Sequence, residues 1–247
     1  MARRRVVVTG GSGAIGQAIC AAFAEEGADV AFSWYLNHAG RDQTAAYITS
    51  AGGQALPIRA SLRDKNGVAD IVKTVHDAWG GADVVVSNAA TGVLKPTTEF
   101  TDKHWRAVMD VNALALLKLA QGFAPTMTSG GRFMALSSAG ATHAIENYAL
   151  IGASKAALES LVRHLAAELG PKGITVNALC PGVVDTPALK HFPNREQLLS
   201  VAKMRTPNGR LATPKDVADV ALLLASQRAS MIQGQTIVID GGYSILA

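Results

Sequence analysis

The stretch RVVVTGGSGAIG (5–16) decides the fold. Three successive β-branched residues, Val6 to Val8, read as a short strand buried on both faces, because a half-exposed strand would alternate polar and apolar positions. Thr9-Gly10-Gly11-Ser12-Gly13 then turns the chain, and Ala14-Ile15-Gly16 opens an amphipathic run to Glu26 that predicts a helix. A strand feeding a helix through a glycine turn is the first part of a parallel strand–helix–strand unit. The start of that helix presents unpaired N–H groups and the positive end of its dipole, so Gly10, Ser12, Gly13, Ala14 and Ile15 form a candidate cradle for a pyrophosphate. Gly10 and Gly16 permit the tight turn and the close helix–strand contact, while Ala14 replaces a glycine of the usual dinucleotide fingerprint.

The same rhythm continues outward. Short β-branched runs at 5–9, 29–34, 54–59, 83–88, 132–137, 174–179 and 235–240 alternate with helical patterns at 13–26, 41–51, 66–79, 102–127, 147–169 and 214–226. This predicts a single α/β domain over residues 1–247, a Rossmann-like, doubly wound parallel sheet of seven strands with helices on both faces. The section from Thr186 to Gly209 breaks the rhythm with Pro187, Pro193 and Pro207 and reads as an excursion over a cleft.

Composition narrows the function classes. With 247 residues, of which 49% are hydrophobic, one large core is affordable without a second domain. Cys20 and Cys180 lie far apart in apolar surroundings, which points to packed thiols in a reducing cytoplasm rather than to a disulfide. The six histidines are scattered and form no two-ligand helical pair, so no structural metal is expected. The opening MARRRVVVTGG lacks the apolar length of a signal peptide, and no stretch is apolar enough for a membrane span. A net charge of +4 without a basic tract suits an anionic cofactor or an acidic carrier and argues against nucleic acid.

The tip of the second strand should meet the adenosine ribose, where an acidic side chain would accept from the 2′-hydroxyl and repel a 2′-phosphate. Tyr35 occupies that place, with Asn37, His38 and Arg41 close behind, so NADPH is favoured over NADH although Gly13 brings no basic side chain.

With these residues in view, the chain resembles the short-chain dehydrogenase/reductase family along nearly its whole length, through TGGSGAIG (9–16), SNAA (87–90), VNA (111–113), LSS (136–138), PGVVDT (181–186) and DGG (240–242). The resemblance implies that Asn88, Ala89 and Ala90 line the cofactor, that Ser61 and Leu62 flank the adenine, and that Pro181, Gly182, Val184 and Thr186 contact the nicotinamide end. It implies that Asn112 helps hold a water-linked proton relay, and that the chain forms a homotetramer through the Tyr-Lys helix region and the last strand. Most members of the family that handle ketones carry a tyrosine four residues before the helix lysine; here that residue is Ile151, and Tyr148 stands seven before Lys155. In this the chain is similar to the enoyl-acyl-carrier-protein reductases. The likeness is closest to their NADPH-dependent type III branch, through SNAATGVLKP (87–96), ENYALIGASKAALE (146–159), ALKHFPNRE (188–196) and MIQGQTIVIDGG (231–242).

If the helix starts at Asn147, Tyr148 and Lys155 are two turns apart, about 10.5 Å along the axis and on nearly one face. A chemical reason for the displacement exists. Hydride delivered to a ketone leaves negative charge one bond away, whereas hydride delivered to C3 of a 2-enoyl thioester places it on the thioester oxygen. A donor aimed at that oxygen must be displaced as well. Tyr148 would stabilise the enolate and Lys155 would hold the nicotinamide ribose hydroxyls and add positive potential. Ser138, the third candidate catalytic residue, stands thirteen residues before Ile151 and could donate to substrate or only fix its loop, since its usual tyrosine partner is missing. His143-Ala144 lacks the aromatic residue that enoyl reductases often carry there. In the excursion, Lys190, His191, Arg195, Lys203 and Arg205 alternate with Leu189, Phe192, Leu198 and Leu199, a pattern that suits a lid over an acyl thioester on an acyl carrier protein. Two other readings compete: a 3-oxoacyl or other carbonyl reductase, and a cofactor-binding sensor without turnover.

Overall fold

A computed structural model describes residues 3–187, 189 and 195–246. Its seven strands are β1 (Arg5–Val8), β2 (Asp29–Trp34), β3 (Ala55–Arg59), β4 (Val84–Ser87), β5 (Arg132–Leu136), β6 (Thr175–Pro181) and β7 (Thr236–Ile239). They form one sheet in the order β3-β2-β1-β4-β5-β6-β7, every neighbouring pair parallel. The order reverses between β1 and β4, which opens a crevice at the carboxyl ends of those strands.

The unbroken valines of β1 are explained by this placement. Val7 packs with α3 (Gly67–Trp79), α5 (Ala115–Phe123) and α6 (Ala149–Leu169) through Ile71, Leu119 and Leu158. Val6 and Val8 face the other way, toward α1 (Ala14–Glu25), α2 (His38–Ser50) and α8 (Pro214–Ala225), where Phe23, Ile48 and Val217 meet them. All three valines are fully buried, as a central parallel strand requires.

Four expectations are corrected. The helix expected over 102–127 is interrupted: α4 (Asp102–Met109) passes into a π-helical segment at Asp110–Leu114 before α5 begins. That segment carries Asn112, whose Nδ2 donates to the Thr91 carbonyl (3.0 Å) and Ser154 Oγ (2.9 Å) while its Oδ1 accepts from Thr91 N–H (2.9 Å). A π-bulge at such a point marks a functional constraint on the helix. Helix α2 starts three residues early, at His38, because the Asn37 side chain caps it by accepting from Gly40 N–H. Helix α6 starts late, at Ala149, since Asn147 lies in the left-handed region at φ 58° and Tyr148 is the N-cap residue. The excursion contains a helix of its own, α7 (Arg195–Arg205).

On α7, Leu198 and Leu199 are half-buried and Ala202 is buried, whereas Lys203 and Arg205 are exposed. Lys190, His191, Phe192 and Pro193 lie outside the described residues. The exit of α7 is fastened to the terminal glycine pair, where Asn208 N–H donates to the Gly241 carbonyl and a Cβ on Gly241 would meet Thr206 Cγ2 at 2.8 Å. Cys20 and Cys180 are both free and buried. Among the described residues, no helix is long and apolar enough to cross a membrane.

Candidate active site

The glycine turn is built around backbone contacts that tolerate no side chain. Gly10 has φ 65°, and a Cβ on Gly16 would lie 2.3 Å from the Gly10 carbonyl oxygen. Helix α1 starts after Gly13 without a side-chain cap, whereas α2 and α8 are capped by Asn37 and Thr213. The first N–H groups of α1, at Ala14 and Ile15, therefore face the crevice beside Ser12 as donors for an anion. A Cβ on Gly13 would meet only the Gly10 carbonyl, at 3.5 Å, so an approaching pyrophosphate has room. The residues present fit a dinucleotide.

Neighbouring elements lock this turn. Asn37 Nδ2 donates to the Ser12 carbonyl (2.7 Å) and the Thr44 hydroxyl lies 2.9 Å from the Gly11 carbonyl. Asn88 Nδ2 donates to the carbonyls of Thr9 and Gly10, and Thr9 Oγ1 accepts from the N–H groups of Asn88 and Ala89. Ala90 follows on the same turn. The loop after β3 comes to it from the other side: Arg63, next to Ser61 and Leu62, donates to Thr91 Oγ1 at 2.7 Å. At the β2 tip, Tyr35 is 47% exposed, and the basic character lies beside it rather than on it. Arg41 and Arg59 sit over the Trp34 ring at 4.6 and 5.7 Å, and His38 packs edge-on against the same ring at 4.8 Å. Arg59 escaped the sequence reading; its signal is register, since Trp34 pairs directly with Arg59 across β2 and β3.

At the nicotinamide side, Gly182 N–H donates to the Ile239 carbonyl, and a Cβ there would meet Asp240 Cβ at 2.8 Å. Val184 bridges to Ala212, which fixes the path from Pro181 to Thr186 between β7 and the segment before α8.

The chemistry-bearing residues converge where β5 ends and α6 begins. Lys155 is 5% exposed and its Nζ donates to the Leu136 carbonyl at 2.5 Å. Tyr148 Oη donates to Ser138 Oγ at 3.4 Å. The usual partner at position 151 is indeed absent, and Tyr148 takes its place beside Ser138. The structure corrects the two-turn geometry, because Tyr148 is not a residue of the helix interior. Its ring lies on the 139–141 turn, where a Cβ on Gly140 would come within 2.6 Å of Cδ1 and Cε1, and a Cβ on Gly152 would come within 2.5 Å of the Gly140 carbonyl. Ile151 is buried against Gly92: a Cβ at Gly92 would meet Ile151 Cδ1 at 2.4 Å. His143 stays at the exposed rim, its Nδ1 2.9 Å from Thr142 Oγ1.

The electrostatics follow from burial. Burial pushes the Lys155 ammonium down to about 8, against the opposing pull of the Cys180 sulfur and the Glu159 carboxylate. Burial raises the Tyr148 phenol, the Ser138 hydrogen bond works against that rise, and Cys180 adds to it. The phenol is therefore a neutral donor at pH 7. Cys180 itself is pushed up to about 11 by burial, then by Glu159 and Asp240, with Lys155 opposing. The arrangement offers a neutral O–H donor, a cation one helical stretch away and an anion cradle, a set suited to hydride transfer with an oxyanion forming near Tyr148. A cavity of about 430 Å³ lies at the opposite ends of β5 and β6, but its buried Arg132 is directed to the Gly131 and Ser226 carbonyls and no acid–base pair faces it.

A family model described as Enoyl-(Acyl carrier protein) reductase matches residues 10–244. The chain is 35% identical over 248 residues to 1-cyclohexenylcarbonyl-CoA reductase of Streptomyces collinus, covering 99% of this chain and 89% of that one. It is 32% identical over 240 residues to 7alpha-hydroxysteroid dehydrogenase of Escherichia coli, covering 96% and 92%. Among solved structures it is similar to a short chain dehydrogenase from Burkholderia cenocepacia in complex with NADP, at TM-score 0.90 and 32% identity over 98% of both chains.

Proposed function

The chain belongs to the short-chain dehydrogenase/reductase family and is an NAD(P)H-dependent oxidoreductase, and from that premise we propose that it reduces the 2,3-double bond of an enoyl thioester with NADPH. The observation that carries this reading is that apolar Ile151 fills the place four residues before Lys155 while Tyr148 stands three residues further back, at the N-cap of α6. The phenol is displaced from the position that serves a ketone, as a donor to a thioester oxygen would be.

NADPH supplies the hydride when bound. The chain's own residues do the rest. The N–H groups of Ala14 and Ile15, with Ser12 beside them and Gly13 leaving room, would hold the pyrophosphate, Ser61 and Leu62 would flank the adenine, Asn88, Ala89 and Ala90 would line the cofactor, and Pro181, Gly182, Val184 and Thr186 would border the nicotinamide. Arg41 and Arg59 meet the 2′-phosphate, which is why no acid is needed at Tyr35. Lys155 holds ribose hydroxyls and raises the local positive potential. Tyr148 donates to the thioester oxygen and stabilises the enolate that hydride addition at C3 leaves, the proton then passes to C2 from Tyr148 itself or from a relayed water, and Ser138 orients the Tyr148 hydroxyl. The relative that acts on a 1-cyclohexenylcarbonyl thioester supports the assignment, because that acyl group is unsaturated next to its carbonyl. Helix α7 would border the acyl chain with Leu198 and Leu199, and its exposed Lys203 and Arg205 suit the phosphate of coenzyme A or an acidic acyl carrier protein. Homo-oligomerisation, as a tetramer, would cover the β7 edge, where Val238 is 53% and Met231 93% exposed.

A second reading, reduction of a carbonyl, is favoured by the Ser138–Tyr148 hydrogen bond and by the hydroxysteroid dehydrogenase relative. NADPH consumption with crotonyl and acetoacetyl thioesters in parallel tests both. Oxidation with the crotonyl substrate supports the enoyl reading, and oxidation with acetoacetyl alone overturns it.

A further inference from the structure

Glu159 lies one turn beyond Lys155 on α6, only 8% exposed, and its Oε1 accepts from the Ser137 hydroxyl at 2.5 Å. Three consecutive residues at the end of β5 are thus each held by the same stretch of chain: Leu136 by Lys155, Ser137 by Glu159 and Ser138 by Tyr148. Among the described residues Glu159 belongs to no ion pair within 4.0 Å. A buried carboxylate without a directly paired cation is costly, and the charge that offsets it is the buried ammonium one turn away.

We infer that Glu159 is a positioning residue of the reaction: its carboxylate is the counter-charge that keeps Lys155 cationic, and its bond to Ser137 fixes the strand end from which Ser138 reaches Tyr148. The groups that face Lys155 are Glu159 from α6, Cys180 from β6 and the Leu136 carbonyl from β5, with Asp240 behind Cys180. Cys180 exerts its pull on Lys155 only as a thiolate. Its thiol, held at about 11, is neutral through the range in which Lys155 titrates near 8, so the sulfur carries no negative charge when the ammonium needs one. Asp240 spends its carboxylate on the N–H groups of Gly242 and Ser244. Glu159 remains.

The inference rests on the proposed role of Lys155 as a working cation, so its test has a readout that needs no turnover. The full chain labelled with [13Cε]-lysine, with and without NADP+, is titrated by NMR, the Lys155 resonance being assigned with Lys155→Met. Glu159→Gln keeps an acceptor for Ser137 but removes the charge, and the Lys155 midpoint falls by about one pH unit, as loss of a nearby opposite charge dictates. The alkaline limb of kcat/KM moves down by the same amount. Ser137→Ala, which keeps the carboxylate, leaves that limb in place and lowers kcat instead. A folded Glu159→Gln enzyme whose Lys155 midpoint stays at the wild-type value overturns the inference; should that variant fail to fold, Glu159→Met, of similar volume, is read in the same way. If wild-type enzyme turns over no crotonyl thioester yet the midpoint still moves, the enoyl reading fails and the role of Glu159 stands.

Discussion

Replacing Tyr148 by phenylalanine removes one oxygen from the centre of the site and little else. The Tyr148 ring packs on Gly140 and the N-cap backbone is untouched, so the start of α6 and the 139–141 turn keep their contacts. The hydrogen bond to Ser138 is long at 3.4 Å and contributes no more than about 1 kcal/mol to stability. The transition state loses far more. A donor aimed at a developing oxyanion contributes roughly 3 to 4 kcal/mol, so kcat for a crotonyl thioester falls on the order of 10² to 10³-fold while the Kd for NADPH is unchanged. Because burial raises the phenol above its ordinary value, the loss is the same across the neutral range rather than confined to high pH. Ser138→Ala, which frees the hydroxyl it orients, costs roughly tenfold. Adding Ile151→Tyr to Tyr148→Phe does not restore enoyl reduction, since Ile151 points toward Gly92 and not toward Ser138. The assay is NADPH absorbance at saturating cofactor, with tryptophan quenching for binding. Turnover of Tyr148→Phe within about threefold of wild type removes Tyr148 from the mechanism.

Three further outcomes follow from the same geometry. Lys155, held near 8 when folded and at 10.5 when unfolded, loses its charge as pH rises through 8, so kcat/KM declines above that pH. Between pH 8 and 9 the unfolded chain carries the extra proton on this lysine, which adds about 1 kcal/mol to the unfolding free energy, an increment partly offset as Cys20 and Cys180 begin to ionise in the unfolded chain; Lys155→Met removes that increment in urea titrations. Above pH 9 the trend reverses, because Cys20 and Cys180, both raised by burial, ionise first in the unfolded chain. Gly40→Ala places a Cβ 2.3 Å from the Ser12 carbonyl, costs roughly 1 to 3 kcal/mol in thermal or urea unfolding, and weakens NADPH binding through the displaced turn. Arg41→Ala and Arg59→Ala each lower the NADPH-over-NADH preference in kcat/KM about tenfold, the worth of one charge-assisted hydrogen bond; a preference left unchanged in both would move the 2′-phosphate elsewhere.

What was legible in the sequence were the features with a period. Unbroken valines in β1, the glycine turn and the alternation of strands with amphipathic runs give the seven-stranded sheet and its order-reversing crevice. Residues fixed by contacts between distant segments left weaker traces. Arg59 reaches the β2 tip only because β3 pairs with Trp34 in register. The interruption at Asp110–Leu114 has no Gly or Pro to announce it; it is set by Asn112 bonding to the Thr91 backbone 21 residues away. Nothing in the sequence sets Glu159 apart from other helical glutamates; only the hydroxyl of Ser137, 22 residues away, singles it out.

The start of α6 shows how the donor is displaced without sliding along a helix. Three residues earlier on a continuous helix, a tyrosine would sit about 4.5 Å lower and be turned by only about 60°. Here Asn147 in the left-handed region breaks the helix before Tyr148, whose φ of −110° and ψ of 3° re-aim the side chain onto the Gly140 turn and toward Ser138. Close approach of Gly140 and Gly152 makes room for that path. The vacated position is filled by Ile151, whose contact with Gly92 leaves no polar group there. Under the proposed enoyl reading, the placement of the Tyr148 phenol depends on two glycine contacts and one left-handed asparagine as much as on the tyrosine itself. Asn147→Ala, which disfavours φ of 58°, should therefore lower kcat with the phenol still present. An Asn147→Gly enzyme, which keeps that conformation accessible, should not. Equal loss in both variants would place the effect in the asparagine side chain rather than in the backbone turn.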